Sequence, residues 1–402
     1  AYPQRMAGAN QSLFHLVTHL PPEVEPRVVA TAPGPVVDAY RRAGVECTVL
    51  QVPPSLDRYG REVLATGWWA RAGLVRRDVL PYLARVRRLL SAWGADLLHP
   101  NDARAALLSA PAARSLGIPV VSHLRGELRV GRAARTAFEL LSSRIVAVSD
   151  GARHTLSALG RARAATVYNG IGEVVPPPAR FPWLDGLRAR GVRVVCCFAS
   201  VVPFKGHHHL VRAAAELDRR GWGDRVAFVC VGDLPGEYAW YHEGLRELMQ
   251  SLRVRNVTFT GWSDVPFAFY RHADLSVLPS VSHETLRLGG REFAVWGNEG
   301  FPRTHLEAMR FGLPVVGTRI AGVPEQVEDG VTGLLVEPSD PAGLADALER
   351  LLASPELAAR MGAAGRERVE RLFSTRAYVE GVLRVYAGAL RGSGRVPGVK
   401  GA

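Results

Sequence analysis

Short apolar runs and helical patterns alternate along this chain in two successive stretches. In the first, the runs fall at residues 28–31, 47–50, 97–99, 119–122 and 145–148. Runs this short and this apolar, separated by segments of helical period, predict a parallel sheet covered by helices on both faces. Residues 176–191 then read PPPARFPWLDGLRARG, and consecutive prolines break any regular element. The rhythm resumes with predicted strands at 192–198, 226–231, 257–260, 275–278, 314–317 and 333–336, and with helices at 210–220 and 344–352. The pattern therefore predicts an α/β chain of two doubly wound domains, 1–178 and 179–375, with the ligand crevice at the carboxyl ends of the strands. Residues 355–390 read as almost wholly helical, so that 376–402 supply a closing helix and then a tail from 391.

A length of 402 residues agrees with two or three domains of roughly 150 residues each. With 47% apolar and 22% charged residues, the composition excludes a disordered, collagenous or disulfide-stapled chain. A net charge of +12 suits nucleic acid, an anionic membrane face or a phosphorylated small molecule. Residues 1–175 hold 22 Arg against 13 acids, a net of +9, so the surplus lies mainly in the first half. Of the 50 cations only Lys205 and Lys400 are lysines. Such an Arg bias reflects genome composition, and the one interior Lys, a compact point charge that Arg does not reproduce, says more than the total. Because the cations are not interleaved with stacking aromatics, no nucleic-acid partner is expected.

Cys47, Cys196, Cys197 and Cys230 lie in or beside apolar runs without Cys-x-x-Cys spacing, as buried thiols of a reducing cytosol would. No uncharged run reaches the roughly 18 residues of a membrane span and no signal peptide is visible, so a cytoplasmic location is expected. The chain opens at Ala1 without a Met, from which missing upstream sequence is expected.

The densest chemical signal is NEGFPRTHLEAMRFGLPVVGTR at residues 298–319. Pro302 suits the first helical position, residues 304–311 continue the helix, and Gly312 and Pro314 stop it. Glu299 then stands at the helix entrance and Glu307 about one turn inside. Helix amides near 301–304 favour an anion, and a carboxylate beyond them can accept two hydrogen bonds from vicinal hydroxyls. Anion plus diol describes a nucleotide-diphosphate sugar. Capping by Glu299 with a solvated Glu307 explains the spacing equally well. Lys205 follows an apolar strand and opens a helix, where an α/β fold binds phosphate; out of that context it is an ordinary surface Lys. No acidic pair stands out as the nucleophile and acid of a hydrolase.

The segment resembles the Glu-x7-Glu signature of the retaining glycosyltransferases of family 4, here Glu299 and Glu307 with seven residues between. The stretches FTGWSDVPF, ADLSVLPS and AGVPEQVEDGVTGLLVEPSD, and FKGH at 204–207, are similar to the C-terminal domain of that family. MAGANQSL, residues 96–128, IVAVSDGARHTL and VYNGI at 167–171 are similar to its acceptor domain. The likeness runs in order over nearly the whole chain.

The resemblance implies a GT-B architecture: two Rossmann-like domains facing across a cleft, the first strand missing from this chain, and the last helix packed back on the first domain. It implies metal-independent, retaining transfer of a hexose from a UDP- or GDP-sugar to a glycan or lipid-linked acceptor. The leaving phosphate would assist acceptor deprotonation on the front face, with no cofactor besides the donor. By motif, Glu307 would hold the ribose hydroxyls, and Glu299 with the backbone of Gly300, Phe301, Pro302 and Arg303 the hexose. Lys205 with Gly206 would hold the diphosphate, Gly8 would let the N-terminal loop approach the reacting centre, and His123, with Arg125 nearby, would face the sugar from the acceptor side. Ser200 stands where the family usually places a second diphosphate cation, Arg, and Arg303 is the candidate to compensate. No Asp-x-Asp metal motif occurs.

Ser200 and the absent first strand suit a different class, a catalytically weak GT-B protein that binds nucleotide-sugar as a sensor or scaffold. Lys205, Glu299 and Glu307, all present, favour the enzyme. His207, His208 and His209 are consecutive, and helical residues in succession point apart, so surface and packing roles are expected in place of a metal site. Trp262 suits either the core or stacking on the donor base, with the core favoured. Residues 79–93 carry an apolar stripe with Arg85, Arg87 and Arg88 off it. Such a helix packs on a sheet with its Arg face solvated, the commoner case, or lies on an anionic membrane, which keeps peripheral membrane contact as a further expectation.

Overall fold

The computed structural model describes residues 8–57, 73–173, 179–297 and 299–392. The chain divides into two compact units, Ala1–Gly170 with Thr375–Ala402, and Ile171–Ser374. The proline run at 176–178 and the tail from 393 lie outside the described residues, and the division falls ahead of those prolines.

In the first unit, among the described residues, β1 (Arg27–Ala30) pairs in parallel with β2 (Glu46–Val49), and β3 (Val121–Leu124), β4 (Arg144–Ala147) and β5 (Ala164–Thr166) form a second parallel set. The run at 97–99 forms a single bridge, Leu98 to Val120, in place of the expected strand. Leu98 N donates to Pro119 O, and Val121 N to Leu98 O, but Pro100 has no N–H with which to continue the ladder. The core gathers Leu16, Val28, Val36, Tyr40, Val121 and Val146 with Tyr378, Val382 and Val385 of the helix Thr375–Gly392. The distal end of the chain is thus built into the first unit.

The helix Leu80–Trp93 buries Tyr82, Val86 and Leu90, and Val79 and Leu83 pack against the same cluster. Its apolar stripe packs into the core, the favoured of the two sequence readings, while Arg87 and Arg88 are exposed and Arg85 is half-buried. No helix among the described residues is long and apolar enough to cross a membrane.

The second unit carries a six-stranded parallel sheet of β6 (Arg193–Phe198), β7 (Val226–Val231), β8 (Val257–Gly261), β9 (Leu275–Leu278), β12 (Val315–Thr318) and β13 (Gly333–Val336). The spatial order is β13-β12-β9-β6-β7-β8. Numbered within the sheet from β6 and read from the β8 edge, it is 3-2-1-4-5-6, the doubly wound dinucleotide-fold order with its reversal between β6 and β9. All four cysteines are free and buried. A separate antiparallel hairpin that the apolar pattern does not predict, β10 (His283–Leu288) and β11 (Arg291–Trp296), leaves the sheet after β9.

Candidate functional site

Loops leaving β6 and β9 depart to opposite sides of the sheet, which opens a crevice beyond their carboxyl ends. After β6 the chain makes a tight turn, Pro203–Lys205, and Gly206 takes a left-handed φ of 72° before the helix His207–Arg219 begins. A Cβ on Gly206 would stand 1.9 Å from the Pro279 carbonyl oxygen, so only glycine fits between this turn and the end of β9. The hairpin is pinched at its base in the same way. A Cβ on Gly297 would stand 1.8 Å from Val281 O, and Gly297 N donates to Ser282 O at 2.8 Å. This closure returns Glu299 to the side of Ser280 after an excursion of nineteen residues.

Here Lys205 Nζ pairs with Glu299 Oε1, and Ser280 Oγ donates to the same oxygen at 2.7 Å. Lys205 is half-buried and Glu299 buried. Burial alone would push the Glu299 carboxyl up, but the Lys205 charge and the hydrogen bonds from Lys205 and Ser280 outweigh it and hold it below the usual range. Glu307 sits inside the helix Arg303–Arg310 and is equally buried, which removes the solvated alternative. Tyr270 Oη donates to its Oε2 at 3.2 Å, and Arg303 Nε lies 3.6 Å from its Oε1. Burial prevails over both partners and raises this carboxyl above its usual range.

Three buried side chains around this pair have no role assigned from the sequence: Ser280 and His305, which lie within the quoted segments, and Tyr270, stacked on Phe198 at 3.8 Å. Neither ring nitrogen of His305 has a hydrogen-bond partner among the described residues, and burial brings its pKa down to about 4. The remaining residues of the motif hold the backbone in place. The Phe301 ring packs edge-on to Phe373 at 5.2 Å, Gly300 O accepts from Gly322 N, and Pro302 O accepts from Gln326 Nε2 at 2.8 Å. Pro302 caps the helix from one position outside, because the helix begins at Arg303. Ser200 lies just past β6, half-buried.

In the first unit His123 is fully buried on β3, with Nδ1 3.2 Å from His99 Nε2, and His99 Nδ1 lies 2.7 Å from Tyr386 Oη on the closing helix. His123 Nε2 has no hydrogen-bond partner among the described residues. Burial, then the Arg125 charge, brings His99 down to about 3 and His123 well below its usual range. Arg125 donates to Asn101 Oδ1, Asn169 Oδ1 and Tyr378 Oη, which makes it a brace across the unit. Gly8, at φ 50°, precedes the helix Ala9–Thr18, whose first carbonyl accepts from Asn101 Nδ2 at 3.2 Å.

Two expectations need correction. Trp262 lies at the surface, 48% exposed, with Nε1 donating to Asp264 at 2.8 Å; it follows the last residue of β8, so it falls past the sheet's buried span. His207, His208 and His209 are all buried, and although His207 turns towards Cys197, His208 and His209 both reach Glu284. Successive helical residues do diverge at Cβ, but a carboxylate facing the first turn can bridge two imidazoles.

The doubly wound sheet with its switch-point crevice is the fold of the GT-B glycosyltransferases among solved structures. Family profiles described as Glycosyl transferases group 1 and Glycosyltransferase Family 4 match residues 186–368 and 6–172. The chain belongs to this family of glycosyltransferases. It is 32% identical over 305 residues, 70% of this chain and 74% of the relative, to the GDP-mannose-dependent alpha-(1-6)-phosphatidylinositol monomannoside mannosyltransferase of Mycolicibacterium smegmatis. It is 28% identical over 323 residues, 73% of this chain and 70% of the relative, to the D-inositol 3-phosphate glycosyltransferase of Thermobifida fusca. Anabaena HepE in complex with UDP-glucose superposes with a TM-score of 0.76 at 20% identity, over 96% of this chain and 98% of that one.

Proposed function

We propose that this chain transfers a hexose from a UDP- or GDP-sugar to a glycan or lipid-linked acceptor, with retention at the anomeric carbon and without a divalent metal. The observation that carries the reading is the buried Lys205–Glu299–Ser280 cluster at the switch point of the second unit, with Glu307 on the adjoining helix. A relative that uses GDP-mannose and a structural neighbour bound to UDP-glucose support a nucleotide-sugar donor.

Breaking the glycosidic bond to a nucleoside diphosphate moves negative charge onto the leaving phosphate. Lys205 supplies a fixed positive charge at that point, and the first-turn amides after Pro302, which have no acceptor inside the helix, supply aligned dipoles. Glu299, kept ionised, accepts hydrogen bonds from hexose hydroxyls. Glu307 accepts from the two ribose hydroxyls, and those donors offset the burial that now raises its pKa. A leaving-phosphate oxygen takes the acceptor proton on the same face from which the nucleotide departs, giving retention. His123, held neutral, offers Nε2 to a sugar hydroxyl.

Ser200, which supplies no second cation, favours one other reading, a weakly catalytic nucleotide-sugar sensor. Donor turnover separates the two. The enzyme consumes UDP- or GDP-sugar, slowly as hydrolysis without acceptor and faster with one, whereas a sensor shows only ligand-induced thermal stabilisation. Turnover should persist in EDTA; its complete loss, with rescue by Mg or Mn, would overturn the metal-independent mechanism. The Arg surplus of the first unit would bring the enzyme to anionic membranes through charge alone. Co-sedimentation with anionic liposomes should then fall as salt rises, because such attraction is screened over about 8 Å at physiological ionic strength.

A further inference from the structure

We propose that His208, His209 and Glu284 form a binding site for one zinc-class divalent metal ion, which staples the first turn of the helix His207–Arg219 to the hairpin β10–β11. His208 Nε2 lies 2.6 Å from Glu284 Oε1, and His209 Nε2 lies 2.7 Å from Glu284 Oε2. The ligand atoms of the three residues are all within 4.8 Å of one another. A tetrahedral zinc with bonds of about 2.0–2.2 Å spaces its ligand atoms about 3.3 Å apart, so each ring opens from the carboxylate oxygen it faces by about 0.6–0.7 Å, and the wider separations, none above 4.8 Å, close by at most about 1.5 Å.

The surroundings also fit. Tyr241 Oη lies 2.8 Å from His208 Nδ1 and accepts from His208 N at 3.2 Å. With Nε2 on a metal, Nδ1 must carry the hydrogen, and a hydroxyl oxygen with two lone pairs can accept from both nitrogens. Ser339 Oγ donates to Glu284 Oε2 at 2.6 Å and so orients the carboxylate from outside. A cavity of about 340 Å³, lined by these three residues with Arg212 and hairpin residues including Arg287, gives an entry path and room for a fourth ligand. Arg287 is engaged by Glu292 at 3.0 Å, and the Arg212 charge favours an anionic fourth ligand such as hydroxide or chloride. Two imidazoles and one carboxylate are donors of the zinc type; magnesium and calcium require oxygen cages.

A second triad, Cys197, His207 and Cys230, is fully enclosed in the core between β6 and β7 and serves as the internal control. The test uses the tag-free 402-residue chain, stripped with chelator and titrated with zinc by calorimetry and with cobalt(II) by absorption spectroscopy. One zinc should bind per chain, zinc but not magnesium should raise the thermal midpoint, and the cobalt spectrum should be that of a four-coordinate nitrogen and oxygen site with no thiolate charge-transfer band. Since even outer partners of a metal site contribute 10- to 100-fold, Glu284→Gln and His209→Gln should each weaken binding by at least about 100-fold, while Cys230→Ser leaves it unchanged. Two variants on different elements guard against misfolding of either one. Absence of stoichiometric zinc binding, undiminished binding in both variants, or a thiolate band abolished by Cys230→Ser would overturn the proposal.

Discussion

The Lys205–Glu299 pair of the second unit and the His99–His123 pair of the first are held in opposite electrical states. In the second, Lys205 and Glu299 are full charges in contact, and the carboxyl is held ionised. In the first, His99 and His123 are neutral rings in series, and the nearby guanidinium of Arg125 is spent on two Asn oxygens and a Tyr hydroxyl. The difference follows from what each surrounds. A buried charge persists where an opposite charge offsets its desolvation, whereas an imidazole beside Arg125 gains nothing by protonation and loses its hydration. A charged pair suits a site where charge develops during reaction, and a neutral ring suits a hydroxyl that stays neutral until late.

The largest effect that would sharpen this contrast is expected of Lys205→Ala. Loss of a preorganised donor to developing charge lowers kcat by about 100- to 1,000-fold and weakens donor binding as well, as measured by steady-state kinetics. A near-normal kcat at saturating donor would break the contrast and move the role to Arg303. Glu307→Ala comes next. The ribose hydroxyls do not change during reaction, so donor KM should rise about 10- to 150-fold, the equivalent of roughly 1.5–3 kcal/mol, with kcat nearly kept.

A smaller effect separates the two carboxylates by pH. Glu299, depressed in the folded chain, contributes stability above the ordinary glutamate range that is lost as pH falls through its folded value. Glu307, raised, contributes below the ordinary range and loses that contribution as pH rises through its folded value. Thermal melts of ligand-free protein should therefore show Glu299→Gln destabilised at pH 7 with the deficit shrinking in acid, and Glu307→Gln not destabilised at pH 7. Equal deficits at pH 7 would contradict the opposite assignments. The smallest effect belongs to the first unit: Tyr386→Phe removes one neutral hydrogen bond to His99 and should lower unfolding free energy by about 0.5–1.5 kcal/mol in a denaturant titration.

The sheet of the second unit was legible because its strands are buried on both faces and read as continuous apolar runs; residues 226–231, 275–278 and 333–336 are found with the bounds the pattern predicts. β5 went unseen because Ala164, Ala165 and Thr166 carry almost no hydrophobic signal. The hairpin leaves a trace, Gly289 and Gly290 between two six-residue runs, but HETLRL and REFAVW together are half polar and give no continuous apolar run. The Glu299–Glu307 spacing was visible, whereas their partners Ser280 and Tyr270 arrive from other elements and only the fold brings them near. The burial of the three histidines is hidden for the same reason, since Glu284, which faces two of them, lies 75 residues from His209.

The helix Thr375–Gly392 belongs to the core of the unit that the chain begins. On the ribosome, residues 171–374 emerge as one uninterrupted unit and can complete their sheet as they appear. The first unit must wait, with Val28, Tyr40 and Val146 lacking their cover, until Tyr378, Val382 and Val385 leave the exit tunnel. At roughly 5–20 residues per second, translating the intervening residues takes about 10–40 s. Through that interval the nascent first unit is the part of these two most in need of a chaperone, although it is made before the second.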